Sequence, residues 1–197
     1  MRILRSSGIV AFVIVAAVLA TSCNPDHPPA AVAPCNVAIV GDSLTVGIQQ
    51  GDRAVNQFAA RSCGVSYIDA RVGRPTSEGV SVIQTKAAWG QLPDILVVGL
   101  GTNDSANGAA FSQKIDQVMA AAGGRPVVWI NVDRAATEAV LNATLQEAQL
   151  RYTNLWVLDW NTFADLNPHV RARDGIHLNS AGYDIRAAQL AQLVSGR

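Results

Sequence analysis

The octapeptide VAIVGDSL (residues 37–44) decides the fold, because an apolar run stops there at Gly-Asp-Ser. Consecutive apolar residues without alternation are typical of a strand buried on both faces, as in a parallel sheet covered by helices. The apolar run at residues 95–100 likewise ends in polar residues, GTND (residues 101–104). Near the C-terminus, DGIH (residues 174–177) places an acid three residues before a histidine. The polar clusters that follow these apolar runs indicate one site at one edge of a sheet.

Strand-like and helix-like segments alternate from residue 36 onward. Apolar residues at helical spacing, such as Leu141, Leu145 and Ala148, predict helices between the strands. This βαβα order implies a three-layer αβα sandwich around a five-stranded parallel sheet with strand order 2-1-3-4-5. The predicted strands are 37–40, 65–70, 94–100, 126–132 and 155–160, and the predicted helices are 44–61, 76–89, 109–123, 134–152 and 180–196.

Ligands of open parallel sheets bind beyond the carboxyl ends of the strands. Ser43 follows the first predicted strand, Gly73 the second and Asn103 the third. Asp174 and His177 lie on the long loop after the fifth strand. All five residues are therefore expected at the same edge of the sheet, although they are far apart in the sequence.

A serine, a histidine and an aspartate supply the groups of nucleophilic acyl transfer. Ser43 is the candidate nucleophile, His177 the candidate base and Asp174 the candidate acid that orients the imidazole. Taken alone, a serine after a strand is more simply a helix N-cap. His27 and His169 are weaker candidates for the base, because His27 lies in a proline-rich segment and His169 in a loop after a proline.

Acyl transfer also needs hydrogen-bond donors for the oxyanion. The candidates are the backbone N–H groups of Ser43 and Gly73 and the side-chain amide of Asn103. As isolated residues, a flexible glycine and a turn-forming asparagine are the simpler interpretations. Arg71 and Arg74, close to Gly73 at the same edge, are predicted contacts for an anionic or sugar substrate, with solvated charges as the alternative. Asp42 is a further predicted substrate contact.

The chain resembles the SGNH (GDSL-type) hydrolase superfamily, whose sequence blocks occur in order over essentially all of residues 36–195. The resemblance implies the roles already given: Ser43 as nucleophile, His177 as base and Asp174 as its orienting acid. It also implies an oxyanion hole of Ser43, Gly73 and Asn103. The matching blocks are GDSL (41–44), Gly73, GTND (101–104) and DGIH (174–177).

A looser similarity connects the chain to the extracytoplasmic SGNH domain of peptidoglycan O-acetyltransferases of the OatA type. It rests on VGR (72–74), on the segment 152–160 that ends in Asp-Trp, and on DGIHL (174–178). The chain departs from those enzymes at Asp104, where they often have a smaller residue, and in having no membrane acyltransferase domain among its 197 residues.

The N-terminal segment resembles a secretory signal peptide over residues 1–22, with basic Arg2 and Arg5 before an apolar core at 9–20. Cys23, which follows small residues, resembles the lipidated cysteine of bacterial lipoproteins; ordinary signal-peptidase cleavage is the alternative. Residues 23–35 are expected to be the lipidated cysteine and a proline-rich tether, and residues 36–197 the hydrolase domain. Either form of processing exports the protein.

Charge and cysteine usage exclude several function classes. Removing residues 1–22 takes away two of the 15 basic residues and none of the 15 acidic ones, so the net charge becomes −2, which does not favour nucleic acid. Three cysteines and three histidines show no metal-ligand spacing, and neither a metal nor a cofactor is expected. Cys35 and Cys63 each precede a predicted strand at one sheet edge, which predicts a disulfide, with two buried free thiols as the alternative.

Together these features predict an exported serine esterase, lipid-anchored or secreted, that removes small acyl groups such as acetyl from cell-envelope carbohydrate. An O-acetyltransferase that uses the same acyl-enzyme and a non-catalytic glycan-binding module remain the alternatives. The expected partners are a small acyl ester or an acylated glycan. A monomer is expected, in contact with a membrane only through the lipid anchor.

Overall fold

A computed structural model describes residues 35–196, which form a five-stranded parallel sheet with helices on both faces. The strand order is 2-1-3-4-5, so the predicted fold class and topology are confirmed. The predicted signal peptide (1–22), the lipidation site Cys23 and the tether at 24–34 lie outside the described residues. The strands are β1 (Cys35–Gly41), β2 (Cys63–Ala70), β3 (Ile95–Gly99), β4 (Val127–Ile130) and β5 (Leu155–Leu158).

Seven α-helices connect and follow these strands within residues 35–196. Two short 3₁₀ turns, Gln50–Asp52 and Pro168–Val170, accompany them. The helices are α1 (Ser43–Gln49), α2 (Arg53–Ala59), α3 (Thr76–Ala88), α4 (Gly108–Ala122), α5 (Glu138–Arg151), α6 (Trp160–Leu166) and α7 (Ser180–Ser195).

The sheet separates two hydrophobic cores. Successive side chains of β1 point to opposite faces, so Ala38 and Val40 pack on the side of α3, α4 and α5. Val37 and Ile39 pack on the other side, against α1, α2, α6 and α7. All four residues are fully buried, which is why this strand reads as a continuous apolar run.

Several predicted boundaries differ from the structure by a few residues, and two of the differences each add a helix. The predicted helix 44–61 is broken between α1 and α2, because Gly51 (φ 62°) and Asp52 (φ 57°) adopt left-handed backbone conformations that end one helix before the next begins. The predicted fifth strand stops at Leu158, and Asp159 then caps α6 by accepting a hydrogen bond from the Thr162 N–H at 3.2 Å. Part of the predicted long loop after this strand is therefore helical.

The predicted disulfide between Cys35 and Cys63 is present in the structure. These residues are paired at the start of β1 and β2, with their Cα atoms 4.5 Å apart. The bond therefore lies at the edge of the sheet opposite the carboxyl ends of the strands. Among residues 35–196, no helix is both long enough and apolar enough to cross a membrane.

Candidate active site

The turn after β1 presents Ser43 as the first residue of α1. Glycine is required just before it, because a methyl group at Gly41 would overlap the Thr45 hydroxyl. Asp42 caps the helix, and its Oδ1 accepts a hydrogen bond from the Leu44 N–H at 3.0 Å. This close packing fixes where the Ser43 side chain leaves the sheet.

The structure brings Ser43, His177 and Asp174 together at the carboxyl edge of the sheet. His177 Nε2 lies 3.0 Å from Ser43 Oγ, and His177 Nδ1 lies 2.6 Å from Asp174 Oδ2. Both distances are those of hydrogen bonds. With the Nδ1 proton donated to Asp174, Nε2 is left to accept the proton of the Ser43 hydroxyl.

Asp174 is held by its own loop as well as by the imidazole. Its Oδ1 accepts hydrogen bonds from the backbone N–H groups of Ile176 (3.0 Å) and His177 (2.9 Å). The hydrogen bond with His177, followed by these two backbone bonds, lowers the pKa of Asp174 to about 2. The carboxyl is therefore ionised at neutral pH and acts only as an acceptor toward the histidine.

The loop that carries this pair is anchored at both ends. Before it, Arg171 donates from Nε to Asp133 Oδ2 at 2.9 Å, and its backbone bridges to Leu178. After it, Asn179 caps α7 by accepting from the Gly182 N–H at 2.9 Å. These contacts hold the two ends of the loop and so position His177, but they do not involve Ser43.

The three candidate oxyanion donors follow the neighbouring strands β1, β2 and β3 at the carboxyl edge of the sheet. Ser43 is at the start of α1, where backbone N–H groups have no partner inside the helix. Gly73 has a φ of +74° and is exposed, and an added Cβ there would meet nothing within 4 Å. One N–H of the Asn103 amide donates to the Arg74 carbonyl at 3.2 Å, which orients the amide and leaves its second N–H for a ligand.

Arg74 and Asp42 are not placed to contact a substrate, which corrects that prediction. Arg74 is only 6% exposed, and its guanidinium donates to the Gly41 carbonyl (3.2 Å) and to the Asp69 carbonyl and carboxylate (both 2.6 Å). Asp42 is buried beneath Ser43 as the helix cap. Both charges are used inside the protein, where they shape the turn after β1 and the loop that carries Gly73.

A buried arginine lies behind the turn that carries Ser43. Burial raises the pKa of Asp42, while the Leu44 N–H and the charge of Arg186 oppose the rise. Arg186, on α7, is 3% exposed, and its guanidinium carbon lies 5.1 Å from the centre of the Trp160 ring. Burial lowers the pKa of Arg186 to about 10, so it remains charged at neutral pH. Sequence reasoning missed this residue, because nothing in the amphipathic pattern of α7 marks an inward-facing arginine.

Asp104 anchors the loop of Gly73 to β3, which sequence reasoning also missed. Its Oδ2 accepts from the N–H (2.9 Å) and the hydroxyl (2.6 Å) of Thr76, the first residue of α3, and its Oδ1 pairs with Lys114. A carboxylate at a helix N-terminus is favourable. Asp104, at which the chain departs from the OatA-type pattern, therefore has a structural role.

Among the described residues, no three His, Cys, Asp or Glu side chains are arranged to hold a metal ion.

The chain is similar in sequence to O-acetyltransferases, although at low identity. No protein-family model matches the chain. It is 25% identical over 157 residues to YrhL of Bacillus subtilis, which carries the provisional name of a peptidoglycan O-acetyltransferase. The alignment covers 79% of this chain and 23% of that protein, so the chain spans about a quarter of its curated relative.

Solved structures show the same fold. The C-terminal catalytic domain of Streptococcus pneumoniae peptidoglycan O-acetyltransferase A superposes with a TM-score of 0.66, at 19% identity, over 82% of this chain and 93% of that one. A protein from Desulfitobacterium hafniense, provisionally described as lipolytic and of the G-D-S-L family, superposes with a TM-score of 0.62, at 13% identity, over 80% and 98%. The chain has the SGNH hydrolase fold. A Clostridium thermocellum family 3 carbohydrate esterase also shares it, with a TM-score of 0.65, at 15% identity, over 80% and 94%.

The SGNH fold matches the resemblance found in the sequence blocks. It places the end of β1, where the GDSL block begins, beside the ends of β2 and β3. The names of these neighbours refer to an O-acetyltransferase catalytic domain, a carbohydrate esterase and a lipolytic protein.

Proposed function

We propose that this chain is an exported serine esterase that removes small acyl groups, chiefly acetyl, from cell-envelope carbohydrate. One observation carries the proposal: the unbroken chain of hydrogen bonds from Asp174 through His177 to Ser43, at 2.6 and 3.0 Å. Isolated caps and turn residues do not need such an arrangement, whereas a serine nucleophile requires a base that is itself oriented.

The geometry supports a two-step reaction. Ser43 Oγ attacks the ester carbonyl carbon while its proton passes to His177 Nε2, and the carbonyl oxygen becomes an oxyanion. His177 then gives the proton to the departing alcohol oxygen as the ester C–O bond breaks, which leaves an acyl group on Ser43. Water, deprotonated by His177, attacks the acyl carbon of this acyl-enzyme. His177 then returns the proton to Ser43 Oγ as the bond between the acyl carbon and Oγ breaks, which releases the carboxylic acid and restores the free serine.

The oxyanion of each step is stabilised by the N–H groups of Ser43 and Gly73 and the Asn103 amide. Each such donor typically contributes about 10²- to 10³-fold to kcat. The Asp174 charge stabilises the imidazolium that forms while His177 holds the proton. All of these groups belong to the chain itself, so the reaction is complete without a cofactor.

A carbohydrate ester is favoured as substrate by the openness of the site and by the relatives. The side chains of His177 and Asp174 are 42% and 51% exposed, and nothing lies within 4 Å of a Cβ added at Gly73. The site therefore has space for the bulky alcohol part of an ester. Among solved structures of this fold, two are family 3 carbohydrate esterases. The Streptococcus pneumoniae domain and the sequence relative YrhL carry names that refer to peptidoglycan O-acetylation.

An O-acetyltransferase is the second candidate, because YrhL and the Streptococcus pneumoniae domain carry that name. The acyl-enzyme on Ser43 would be the same, and a sugar hydroxyl would replace water in the second step. Both candidates use the same groups in the same roles, so only the acceptor distinguishes them.

Export and anchoring complete the proposal. A lipid on Cys23 would hold the enzyme at a membrane, and a proline-rich tether at about 3.1 Å per residue would let the domain reach roughly 30 Å from the surface. Peptidoglycan, named in the relatives, is a polymer outside the cytoplasm, which agrees with an exported enzyme.

Labelling with a serine-directed fluorophosphonate tests the nucleophile. Wild type is expected to be labelled and Ser43→Ala to be unlabelled, while Ser66→Ala, which changes an exposed serine on β2, keeps full labelling. Labelling that survives in folded Ser43→Ala would place the nucleophile elsewhere. Incubation with an aryl acetate, with and without a glycan acceptor, then separates release of acetate from transfer. A wild-type protein that does neither would support the non-catalytic glycan-binding module.

A further inference from the structure

An open groove of about 320 Å³ lies between the edge strand β2 and helix α3, away from the triad. It combines an indole ring, two hydroxyls, an aliphatic side chain and one charge of each sign. The lining residues are Asp69, Ser81, Val82, Thr85, Lys86 and Trp89.

Trp89, at the C-terminal end of α3, is the unusual member of this lining. It is 67% exposed, whereas Trp129 and Trp160 are fully buried. An indole face left in water beside hydroxyl groups is a surface suited to a sugar ring, because the C–H face of a pyranose stacks on the aromatic ring and its hydroxyls hydrogen-bond at the rim.

The hydroxyls beside it keep the capacity to bind a ligand. Ser81 Oγ donates to the Ser77 carbonyl at 3.2 Å, and Thr85 Oγ1 donates to the Ser81 carbonyl at 2.8 Å. Each hydroxyl proton is thus used within the helix, and the lone pairs of each oxygen remain to accept hydrogen bonds from sugar hydroxyls.

Tyr67, on β2, lies beneath the Lys86 side of the same surface. The Lys86 ammonium lies 4.9 Å from the centre of its ring. Within residues 35–196 its buried hydroxyl has no hydrogen-bond partner. Burial, with the neighbouring Asp69 charge, raises the pKa of Tyr67 to about 12, so the hydroxyl keeps its proton.

The Asp69 end of the groove is the end linked by hydrogen bonds to residues of the candidate active site. Asp69 Oδ1 accepts from Arg74 Nη2 at 2.6 Å, and the Arg74 carbonyl accepts from the Asn103 amide at 3.2 Å. Trp89 lies at the other end of α3, whose 13 residues span about 20 Å. A chain of several sugar units lying in the groove would therefore run toward the residues that surround Ser43.

We propose that this groove is an accessory site for the polysaccharide that carries the acyl ester, with Trp89 as its stacking platform. The inference rests on the proposed function and deepens it: sugar units away from the ester lie in the groove, while the acylated unit lies at Ser43. A sugar chain fits this lining because one exposed indole ring lies beside two hydroxyl groups and one charge of each sign.

Direct binding tests the groove independently of catalysis. Chitohexaose and xylohexaose, both β-1,4-linked, are titrated into Ser43→Ala protein, and the indole fluorescence is followed. Trp89→Ala is expected to weaken binding about tenfold, measured by calorimetry, and Trp89→Phe to retain most of the affinity. The matched control Leu150→Ala, which removes an apolar side chain that is 89% exposed on α5, is expected to bind as the parent does.

Kinetics supply the second readout. On an O-acetylated chitooligosaccharide, Trp89→Ala is expected to raise KM about tenfold with kcat unchanged, and on an aryl acetate both constants are expected to match the wild type. The proposed accessory site would be refuted if Trp89→Ala and its parent bound both hexasaccharides with equal affinity. It would also be refuted if the parent bound neither hexasaccharide. Either result would leave the esterase proposal standing if fluorophosphonate labelling of Ser43 is observed. Conversely, tight Trp89-dependent binding by an unlabelled wild type would retain the groove and refute the esterase.

Discussion

At the scale of single residues, the decisive arrangement is the set of three hydrogen bonds that Asp174 accepts. Two come from backbone N–H groups of its own loop, so the carboxylate is oriented before the imidazole contacts it. The third fixes the His177 ring, whose other nitrogen faces Ser43. Orientation of the base and stabilisation of its charged form therefore come from one side chain.

This arrangement predicts unequal effects of two substitutions. His177→Ala removes the base and is expected to lower kcat on an aryl acetate by about 10⁶-fold, whereas Asp174→Asn keeps the base and is expected to lower it by about 10⁴-fold. Steady-state and single-turnover kinetics measure both. Ser66→Ala is the control, since that exposed serine on β2 contacts neither residue. Wild-type activity in His177→Ala would rule out the catalytic chain of hydrogen bonds.

The low pKa of Asp174 gives a second prediction at this scale. Because this pKa is lowered from 3.8 to about 2, the charged carboxylate stabilises the folded protein at pH values above about 3.8, and this contribution is lost as the pH falls toward 2. The ¹³C shift of the carboxyl is expected to titrate near 2 in wild type and in Ser43→Ala. In His177→Ala the midpoint is expected to rise, since the largest cause of the shift has been removed. An unchanged midpoint would contradict this assignment.

Sequence blocks identified the candidate triad because each member occurs in a short local motif. Burial of Arg74 was not readable in the same way, since its partners, the Gly41 carbonyl and Asp69, lie on two different strands. Asp104 was noticed only as a departure from a pattern. Its partner Thr76 is 28 positions away, and no local periodicity connects them.

At the scale of elements, Asp104 joins the N-terminus of α3 to the end of β3, and the Gly73 loop lies directly before that helix. Asp104→Asn is expected to destabilise the protein by about 1 to 3 kcal/mol, because it leaves buried donors poorly paired. Urea unfolding measures this. Asp116→Asn, in an exposed pair with Arg151, is the control and should cost less than about 1 kcal/mol. Equal decreases in the free energy of unfolding of the two variants would contradict this structural role of Asp104.

The disulfide between β1 and β2 supports the second prediction for elements. Its residues are 28 positions apart, so loop-closure entropy predicts that reduction lowers the free energy of unfolding by about 3 to 4 kcal/mol. Urea unfolding with and without reductant measures this difference. The double variant Cys35→Ser/Cys63→Ser is expected to be insensitive to reductant. An unfolding midpoint of the wild type that reductant does not move would contradict the prediction.

Strand order and layers were predictable because continuous apolar strands alternate with helical periodicity over the whole domain. The break between α1 and α2 was not, since Gly51 has the freedom to adopt a left-handed conformation but does not require it in a helical sequence. Helix α6 was missed because it is only seven residues long and follows directly on β5, so the apolar Trp160 was read as the end of a strand.

At the scale of the whole molecule, location is the property to test. If Cys23 carries two acyl chains, the protein is expected in the membrane fraction, because each buried CH₂ contributes about 0.8 kcal/mol. Cys23→Ala should then move it to the soluble or secreted fraction with unchanged activity on an aryl acetate. Mass spectrometry of the N-terminus and fractionation measure both. A soluble wild type with an unmodified N-terminus would refute the anchor and leave a secreted enzyme.

The position of the Cys35–Cys63 bond has a mechanical consequence. Any tension along the chain from its N-terminal side enters the described fold at Cys35, the first residue of β1, the strand that leads to Ser43. The covalent link shares that load with β2 at the point of entry, so the hydrogen bonds of β1 are not pulled open one after another. A tethered enzyme stretched between a bilayer and a polymer would keep its nucleophile in register, and in an optical trap the oxidised protein should rupture at a higher force than the reduced one.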